Sequence, residues 1–265
     1  NNEPIWFDKK EESNKDTYQT VKTGSVVTEI NLDSKPKYKI MVCTPCHSEV
    51  SMHYTQSVLK FQQQCLQNNI LVSFTLLKSS LVTQGRNLCV ADFISHEHKY
   101  EYLLFIDSDI DFEYKTIIKM IETDKDVIAC PYPMKTIDEN KIWRTLTEKH
   151  EMIRKKGDVV KSGYMFPLKV KDKNNITVDN GLMEATHVPT GCMLIKRHVL
   201  TKMIEKHPEL EIYQPTMING KEEKKPNFYN LFDTLHDSKT KRYYGEDFGF
   251  CQRWTDMGGE VFAYV

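Results

Sequence analysis

The sequence lacks the features that would direct the chain to nucleic acid or across a membrane. Lysine and arginine number 36 against 37 aspartate and glutamate, so the formal net charge is −1. Such a balance gives no overall field that would attract a polyanion. No apolar stretch approaches the roughly 20 residues that cross a bilayer, and the start of the chain lacks the apolar middle of a signal peptide. We therefore expect no nucleic-acid partner and no membrane-spanning segment.

The sequence also lacks a disulfide framework. Its seven cysteines are odd in number, and most of them lie inside apolar runs. This usage is typical of buried reduced thiols and favours a cytoplasmic protein. The chain begins at Asn1 and stops at Val265 within an apolar run, which suggests a part of a larger multidomain protein.

Apolar runs and amphipathic stretches alternate along most of the chain. Strands are predicted at 38–43, 70–77, 102–106, 126–130, 185–188 and 192–195. Helices are predicted near 52–69, 86–96, 114–122, 199–206 and 245–257. This alternation predicts an α/β, Rossmann-like fold with a mixed, mostly parallel sheet flanked by helices.

Two segments depart from this alternation. Residues 1–37 are polar and lysine-rich, and we predict an N-terminal arm there. Residues 134–183 form a polar stretch that is too long for an ordinary connection, which predicts an inserted hairpin or lid. The insertion divides residues 38–265 into a first half at 38–133 and a second half at 184–265.

An acidic motif follows one of the most apolar strands. Asp107 and Asp109 lie two residues apart after the run 103–106, so both point the same way from the carboxyl end of that strand. Ligands of open α/β sheets bind at this edge. Two carboxylates can hold Mg²⁺ or Mn²⁺ and leave positions free for diphosphate oxygens. An acidic surface turn is the alternative, and we expect Asp111 to cap the next helix.

A second acidic pair, Glu246 and Asp247, opens the last predicted helix. Asp247 shares the apolar face with Phe250, whereas Glu246 lies at its boundary and could pair with Arg253. A carboxylate in semi-apolar surroundings holds its proton more tightly, which suits a general base. We therefore predict Asp247 as the base, with favourable charge at a helix start as the alternative.

Three motifs together resemble GT-A glycosyltransferases related to family 2. They are Leu103-Leu-Phe-Ile-Asp-Ser-Asp, Val188-Pro-Thr-Gly-Cys-Met-Leu-Ile-Lys-Arg and Tyr244-Gly-Glu-Asp-Phe-Gly-Phe-Cys-Gln-Arg-Trp. The resemblance covers about residues 38–265 and implies a GT-A fold with a nucleotide-binding first half and an acceptor-binding, catalytic second half. It implies inverting, metal-dependent hexosyl or pentosyl transfer. The implied donor is a nucleotide-diphosphate sugar, for which the resemblance favours UDP over GDP or dTDP, and the implied acceptor is a glycan or glycoprotein.

The resemblance also implies where the ligands bind. Expected donor contacts are Thr44, Pro45, Cys46, Gln84, Arg86, Asn87, Asp107, Ser108 and Asp109, and Asp107 and Asp109 would be the metal ligands. Expected acceptor contacts are Thr190, Gly191, Phe228, Tyr229 and Phe232, although the three aromatic residues would equally suit a core. Many relatives carry a histidine metal ligand that would fall beyond Val265. His187 is a weaker candidate for that ligand, because a single histidine beside a strand is more often structural.

Two other functions fit parts of the sequence. The run Cys43-Thr-Pro-Cys46-His47 matches thiol-redox and haem-attachment patterns, but Cys43 lies within an apolar strand rather than at an exposed helix start. A GT-A fold could also bind a nucleotide sugar or glycan without transferring it. The joint presence of Asp107, Asp109 and Asp247 favours catalysis, because a pure binder needs no base.

Overall fold

The structure is a computed structural model that describes residues 18–23, 26–31, 35–218, 221–238 and 240–265. The predicted arm therefore lies mostly outside the described residues. The strands are β1 (Tyr18–Thr23), β2 (Val26–Asn31), β3 (Lys39–Cys46), β4 (Leu71–Lys78), β5 (Tyr102–Ile106), β6 (Val127–Ala129), β7 (Lys169–Val170), β8 (Leu182–His187), β9 (Cys192–Lys196), β10 (Pro215–Ile218), β11 (Lys221–Lys224), β12 (Leu235–Asp237), β13 (Arg242–Tyr244) and β14 (Val261–Tyr264). The helices are α1 (Met52–Gln67), α2 (Val82–Ser95), α3 (Tyr114–Glu122), α4 (Glu139–Glu148), α5 (Lys156–Ser162), α6 (Arg197–Lys206) and α7 (Glu246–Asp256), with short 3-10 helices at His150–Met152 and Pro208–Leu210.

An eight-stranded mixed sheet forms the centre of the fold. Its strand order is β4-β3-β5-β9-β6-β14-β8-β7. Strand β3 pairs in parallel with β4 and β5, and β14 pairs in parallel with β6, whereas β9 and β8 run antiparallel to their neighbours. Six of the eight strands therefore point the same way. The predicted α/β class with a mixed, mostly parallel sheet is confirmed, and it is compatible with a GT-A-like Rossmann fold.

Alternate residues of β5 enter two separate apolar clusters. Leu103 and Phe105 pack with α2, α6 and α7 on one face of the sheet. Leu104 and Ile106 pack with α1 and α3 on the other. Since both faces are covered, β5 reads as an unbroken apolar run, as expected of a central strand.

Side-chain contacts set the starts of α1 and α3 differently. Ser51 caps α1 by accepting the Tyr54 N–H at 3.1 Å. The helix α3 follows Glu113 and has no side-chain cap. Asp111 instead accepts a hydrogen bond from Ser57 on α1, so the prediction that Asp111 caps a helix is wrong. Because α3 begins three residues after Asp111, that carboxylate is free to tie the loop to α1.

The inserted segment contains three short helices. They are α4, the 3-10 helix at His150–Met152 and α5, and no residue of these three helices is buried. Its strand β7 pairs with β8 and extends the central sheet at one edge. In the part of the chain that the structure describes, no helix is long and apolar enough to span a bilayer.

Candidate active site

The acidic motif lies at the carboxyl end of β5, beside a tight turn. The Asp107 N–H donates to the Gly191 carbonyl at 3.0 Å, and Gly191 immediately precedes β9. A Cβ at residue 191 would overlap the ring and hydroxyl of Tyr132. Glycine is therefore required here because the backbone and the Tyr132 ring approach so closely.

Arg86 joins the acidic motif to the second acidic pair. Its Nη2 donates to Asp107 Oδ1 at 2.9 Å, and its Nε donates to Glu246 Oε1 at 3.3 Å. Burial disfavours the charged guanidinium, but the two carboxylates outweigh that cost and raise the pKa of Arg86. The guanidinium also lies over the Phe105 ring, 5.2 Å from its centroid. A buried, permanently charged arginine thus holds together two motifs that are 160 residues apart in sequence.

Asp109 has a cationic partner of a different kind. Its Oδ2 accepts from Lys135 Nζ at 2.5 Å, and the Lys135 side chain is 90% exposed. Asp109 raises the pKa of Lys135, which therefore stays charged. An ion pair this exposed is weak, so Lys135 can leave Asp109 when a ligand approaches.

Two carboxylates suit a divalent cation that arrives with its ligand. Among the described residues, no group of three or more His, Cys, Asp or Glu side chains could hold a metal ion. Mg²⁺ is commonly held by one or two carboxylates together with substrate phosphates and water. Asp107 and Asp109 match that donor set, since each of the ion pairs shown by the structure uses only one carboxylate oxygen.

Asp247 lies at the start of α7, where its side chain is partly buried. Its Oδ1 accepts the Phe248 N–H at 2.7 Å. Burial, followed by the charge of Glu246, raises the pKa of Asp247 to about 6. The expected Glu246–Arg253 pair is wrong, because Arg253 Nη1 donates instead to the carbonyls of Leu231 and Asp233. Glu246 is thereby available to Arg86.

Tyr132 is a site residue that the sequence interpretation missed. It follows β6, the strand beside β9, and burial raises the pKa of its hydroxyl. The charges of Asp107 and Asp247 raise the same pKa further. The hydroxyl therefore stays protonated and can donate a hydrogen bond. In the sequence, the only indication of this role is the position of Tyr132 just after the strand predicted at 126–130.

The other expected donor contacts are placed less uniformly. The Thr44 hydroxyl is buried against the Tyr54 hydroxyl at 2.7 Å, and Cys46 ends β3 in a partly exposed position. Pro45 packs closely against Gly85, since a Cβ added at residue 85 would lie 3.0 Å from the Pro45 Cβ.

Three further donor candidates make contacts within the protein. The carbonyl of Ser108 accepts the Ser51 N–H at 2.8 Å, so Ser108 supports the start of α1. Gln84 Nε2 donates to Gln214 Oε1 at 2.8 Å. Asn87 is buried, and its amide donates to Asn230 and accepts the Phe232 N–H. Asn87 thus braces a neighbouring loop.

The aromatic residues expected to contact an acceptor divide into two groups. Phe228 and Phe232 are 2% and 0% exposed. Phe232 also stacks on Phe250 with ring centroids 4.4 Å apart, so it offers no free face to a sugar. The acceptor prediction is therefore corrected for these two core residues. Tyr229 is only partly buried, and Thr190 is buried beside Gly191.

His187 has a packing role. Its ring stacks on Tyr244 with centroids 5.4 Å apart and lies 4.9 Å from the Phe248 ring. Burial, with the nearby charge of Lys169, lowers the pKa of His187 to about 4. The histidine is therefore neutral and supports the start of α7.

The cysteine pattern does not form a redox site. Cys43 and Cys46 both lie in β3, and residues three apart in a strand point to opposite faces. Burial raises the pKa of Cys43 well above its usual value, which opposes formation of a reactive thiolate. Both thiols are free. These features remove the support for a thiol-redox function.

Comparison with known proteins assigns no family. No protein-family model matches the chain, and no curated protein does. Among solved structures, the chain is similar to the crystal structure of A197 from STIV, with 16% identity over 85% of this chain and 81% of that one, at a TM-score of 0.43. Fold and site geometry define an α/β protein with an acidic site, braced by an arginine, at the carboxyl edge of its sheet.

Proposed function

We propose that the chain is a metal-dependent glycosyltransferase. It transfers a sugar from a nucleotide-diphosphate donor, most simply a UDP-sugar, to a glycan or glycoprotein acceptor with inversion. The observation that carries this proposal is the buried Arg86 bridge between Asp107 and Glu246. This bridge joins the acidic motif after β5 to Glu246, the neighbour of Asp247, whose carboxylate has a raised pKa.

The donor side of the site would hold a diphosphate through a cation. Asp107 and Asp109 would bind Mg²⁺ or Mn²⁺, which offsets the charge of the diphosphate and of the leaving group. Arg86 fixes the orientation of the Asp107 carboxylate. Lys135 would move from Asp109 towards the phosphate oxygens, because its side chain is exposed and free to rotate.

Asp247 would take the proton of the attacking acceptor hydroxyl. Its Oδ1 is engaged by the Phe248 N–H, so Oδ2 is the oxygen available for the proton. The acceptor oxygen would bond to the anomeric carbon as the bond from that carbon to the diphosphate breaks. A pKa of about 6 leaves the carboxylate mostly ionised at neutral pH and makes it a stronger base than an ordinary aspartate.

Calorimetry with UDP tests the donor side. We expect UDP to bind with Mn²⁺ and to lose affinity in excess EDTA, because the carboxylates then repel the diphosphate. Asp109→Asn should weaken Mn²⁺-dependent binding more than Asp111→Asn, since Asp111 is hydrogen-bonded to Ser57 on α1. Equal affinity in EDTA, or a larger loss at Asp111, would contradict this assignment.

A hydrolysis assay with radiolabelled UDP-sugars tests turnover of the donor, with water in place of the acceptor hydroxyl. We expect release of UDP and labelled sugar that depends on Mn²⁺ and on Asp247, because Asp247 would take a proton from the attacking water. Binding of UDP without any turnover of the sugars tested would instead indicate a nucleotide-sugar-binding module.

A further inference from the structure

The inserted segment carries a cavity that the proposed function does not use. The cavity has a volume of about 530 Å³ and is formed mainly by α4, α5 and the 3-10 helix between them. This volume falls within the roughly 300–1,000 Å³ of small-ligand sites. The segment is joined to the central sheet through β7, which pairs with β8, and a hydrogen bond from the Met134 N–H to the Met165 carbonyl at 2.7 Å links the stretches on either side of its three helices.

The charge around this cavity is unbalanced. Four cationic side chains line it, from Lys141, Arg144, Lys149 and Lys161, against one carboxylate. That carboxylate, Asp158, accepts the backbone N–H groups of residues 154 and 155.

Most of these cations are free to meet a ligand. Lys141 Nζ donates to the Tyr164 carbonyl at 2.8 Å. Within the described part of the chain, no ion pair involves Arg144, Lys149 or Lys161. A phosphate group is suited to such a cluster, because arginine and lysine form charge-assisted hydrogen bonds with its oxygens.

The same cavity has an apolar part. Met152, Ile153 and Phe166 line it, and Met152 and Phe166 are 64% and 47% exposed. Covering apolar surface of this kind is favourable by about 25 cal/mol for each Å² removed from water. Free phosphate would leave this surface exposed, and a neutral amphiphile would leave the cations without partners.

We infer that this cavity binds an anionic amphiphile. Its phosphate group would contact Arg144, Lys149 and Lys161, and the adjoining part of its apolar body would cover Met152 and Phe166. The inference goes beyond the proposed transfer reaction and needs none of the donor-binding residues.

The test uses the whole chain and a monomeric lipid probe. Calorimetry would measure binding of dihexanoyl phosphatidic acid below its micelle concentration. Dihexanoyl phosphatidylcholine provides the same acyl chains without net charge, and glycerol 3-phosphate provides the charged head without them. We expect phosphatidic acid to bind more tightly than either by about tenfold or more, since each comparison ligand lacks one of the two contacts.

Charge-matched variants locate the site. The cavity variant carries Arg144→Gln, Lys149→Gln and Lys161→Gln, and the control carries Lys60→Gln, Lys115→Gln and Lys206→Gln on α1, α3 and α6. We expect the cavity variant to lose about tenfold or more in affinity for phosphatidic acid and the control to bind like the wild type. Thermal unfolding of both variants checks that they fold. If the cavity variant does not fold, the single substitution Arg144→Gln is tested in its place.

Several results would overturn the inference. Equal binding of phosphatidylcholine would indicate apolar adhesion alone, and equal binding of glycerol 3-phosphate would indicate an anion site alone. Full affinity in the cavity variant would locate binding elsewhere. No detectable binding of phosphatidic acid to the wild type would exclude the site. Each result is independent of donor binding, so failure of the transferase proposal would be recognised separately.

Discussion

Replacing Asp247 by Asn separates a catalytic role for this carboxylate from a structural one. Burial and Glu246 raise the pKa of Asp247 to about 6 in the folded protein. The pKa of an aspartate in an unfolded chain is about 3.9. The fold therefore favours the protonated form. Asn resembles that neutral form and can still accept the Phe248 N–H.

The size and sign of the stability effect follow from these two pKa values. The stabilising contribution of Asp247 is complete below the unfolded pKa and is lost as pH rises through about 6. A shift of about two pH units corresponds at most to about 2.7 kcal/mol, and partial exposure of the side chain reduces it to about 1–2 kcal/mol. Asp247→Asn lacks this loss, so its stability relative to wild type should rise by that amount between acidic and alkaline pH.

Urea unfolding of both proteins at pH 4.5 and pH 8 measures this change, and transfer assays on the same preparations measure the rate. We expect Asp247→Asn to lower the rate by about 10²–10⁴-fold. Glu246→Gln is the matched control, and it should move the acidic limb of the pH–rate profile to lower pH because Glu246 raises the pKa of Asp247. An unchanged stability difference at the two pH values would refute the desolvation argument. If Asp247→Asn kept more than about a tenth of the rate while Glu246→Gln did not, the base would be Glu246.

Two further substitutions test the frame of the site. Gly191→Ala should displace Tyr132 and lower both the stability and the transfer rate. Gly157→Ala is the control, because an added Cβ there meets nothing within 4 Å, and it should leave transfer intact and stabilise α5 by up to about 1 kcal/mol. Denaturation and rate measurements on both variants check this, and equal effects of the two substitutions would contradict it. Arg86→Lys should cost about 1.5–3 kcal/mol and weaken UDP binding, because one ammonium cannot reproduce both guanidinium contacts. If Arg86→Lys unfolded with the same free energy as the wild type and bound UDP equally well, the Arg86 bridge would be dispensable.

Elements with strong local patterns could be predicted from the sequence. The strand at Tyr102–Ile106 and the helix at Tyr114–Glu122 have the predicted bounds. Both elements pack into apolar clusters, and the spacing of their own apolar residues in the sequence indicates the element type. The helix at Val82–Ser95 begins four residues before its predicted start. Its first turn contains Thr83 and Gly85, which are weak helix formers, so tertiary packing decided this boundary.

The contacts that complete the candidate site depend on how distant strands pair. Tyr132 and Lys135 reach it because β6 lies beside β9 in the sheet, an arrangement that no local pattern reveals. The contact between Arg86 and Glu246 spans 160 residues. Phe232 illustrates the opposite ambiguity, since an aromatic residue suits a sugar site or a core, and only its stacking on Phe250 decides between them.

The charges gathered around Arg86 give a reason for a divalent cation that does not depend on any resemblance. Among the residues that the structure describes, the four carboxylates of Asp107, Asp109, Glu246 and Asp247 share two cationic partners, Arg86 and Lys135. Burial and the charge of Glu246 raise the pKa of Asp247, and a diphosphate entering alone would add more negative charge to the site. A donor that arrives with Mg²⁺ or Mn²⁺ would bring compensating positive charge to the carboxylates of Asp107 and Asp109. If the proposed donor binds at this edge of the sheet, the excess of negative charge would favour a metal–diphosphate complex over the free nucleotide.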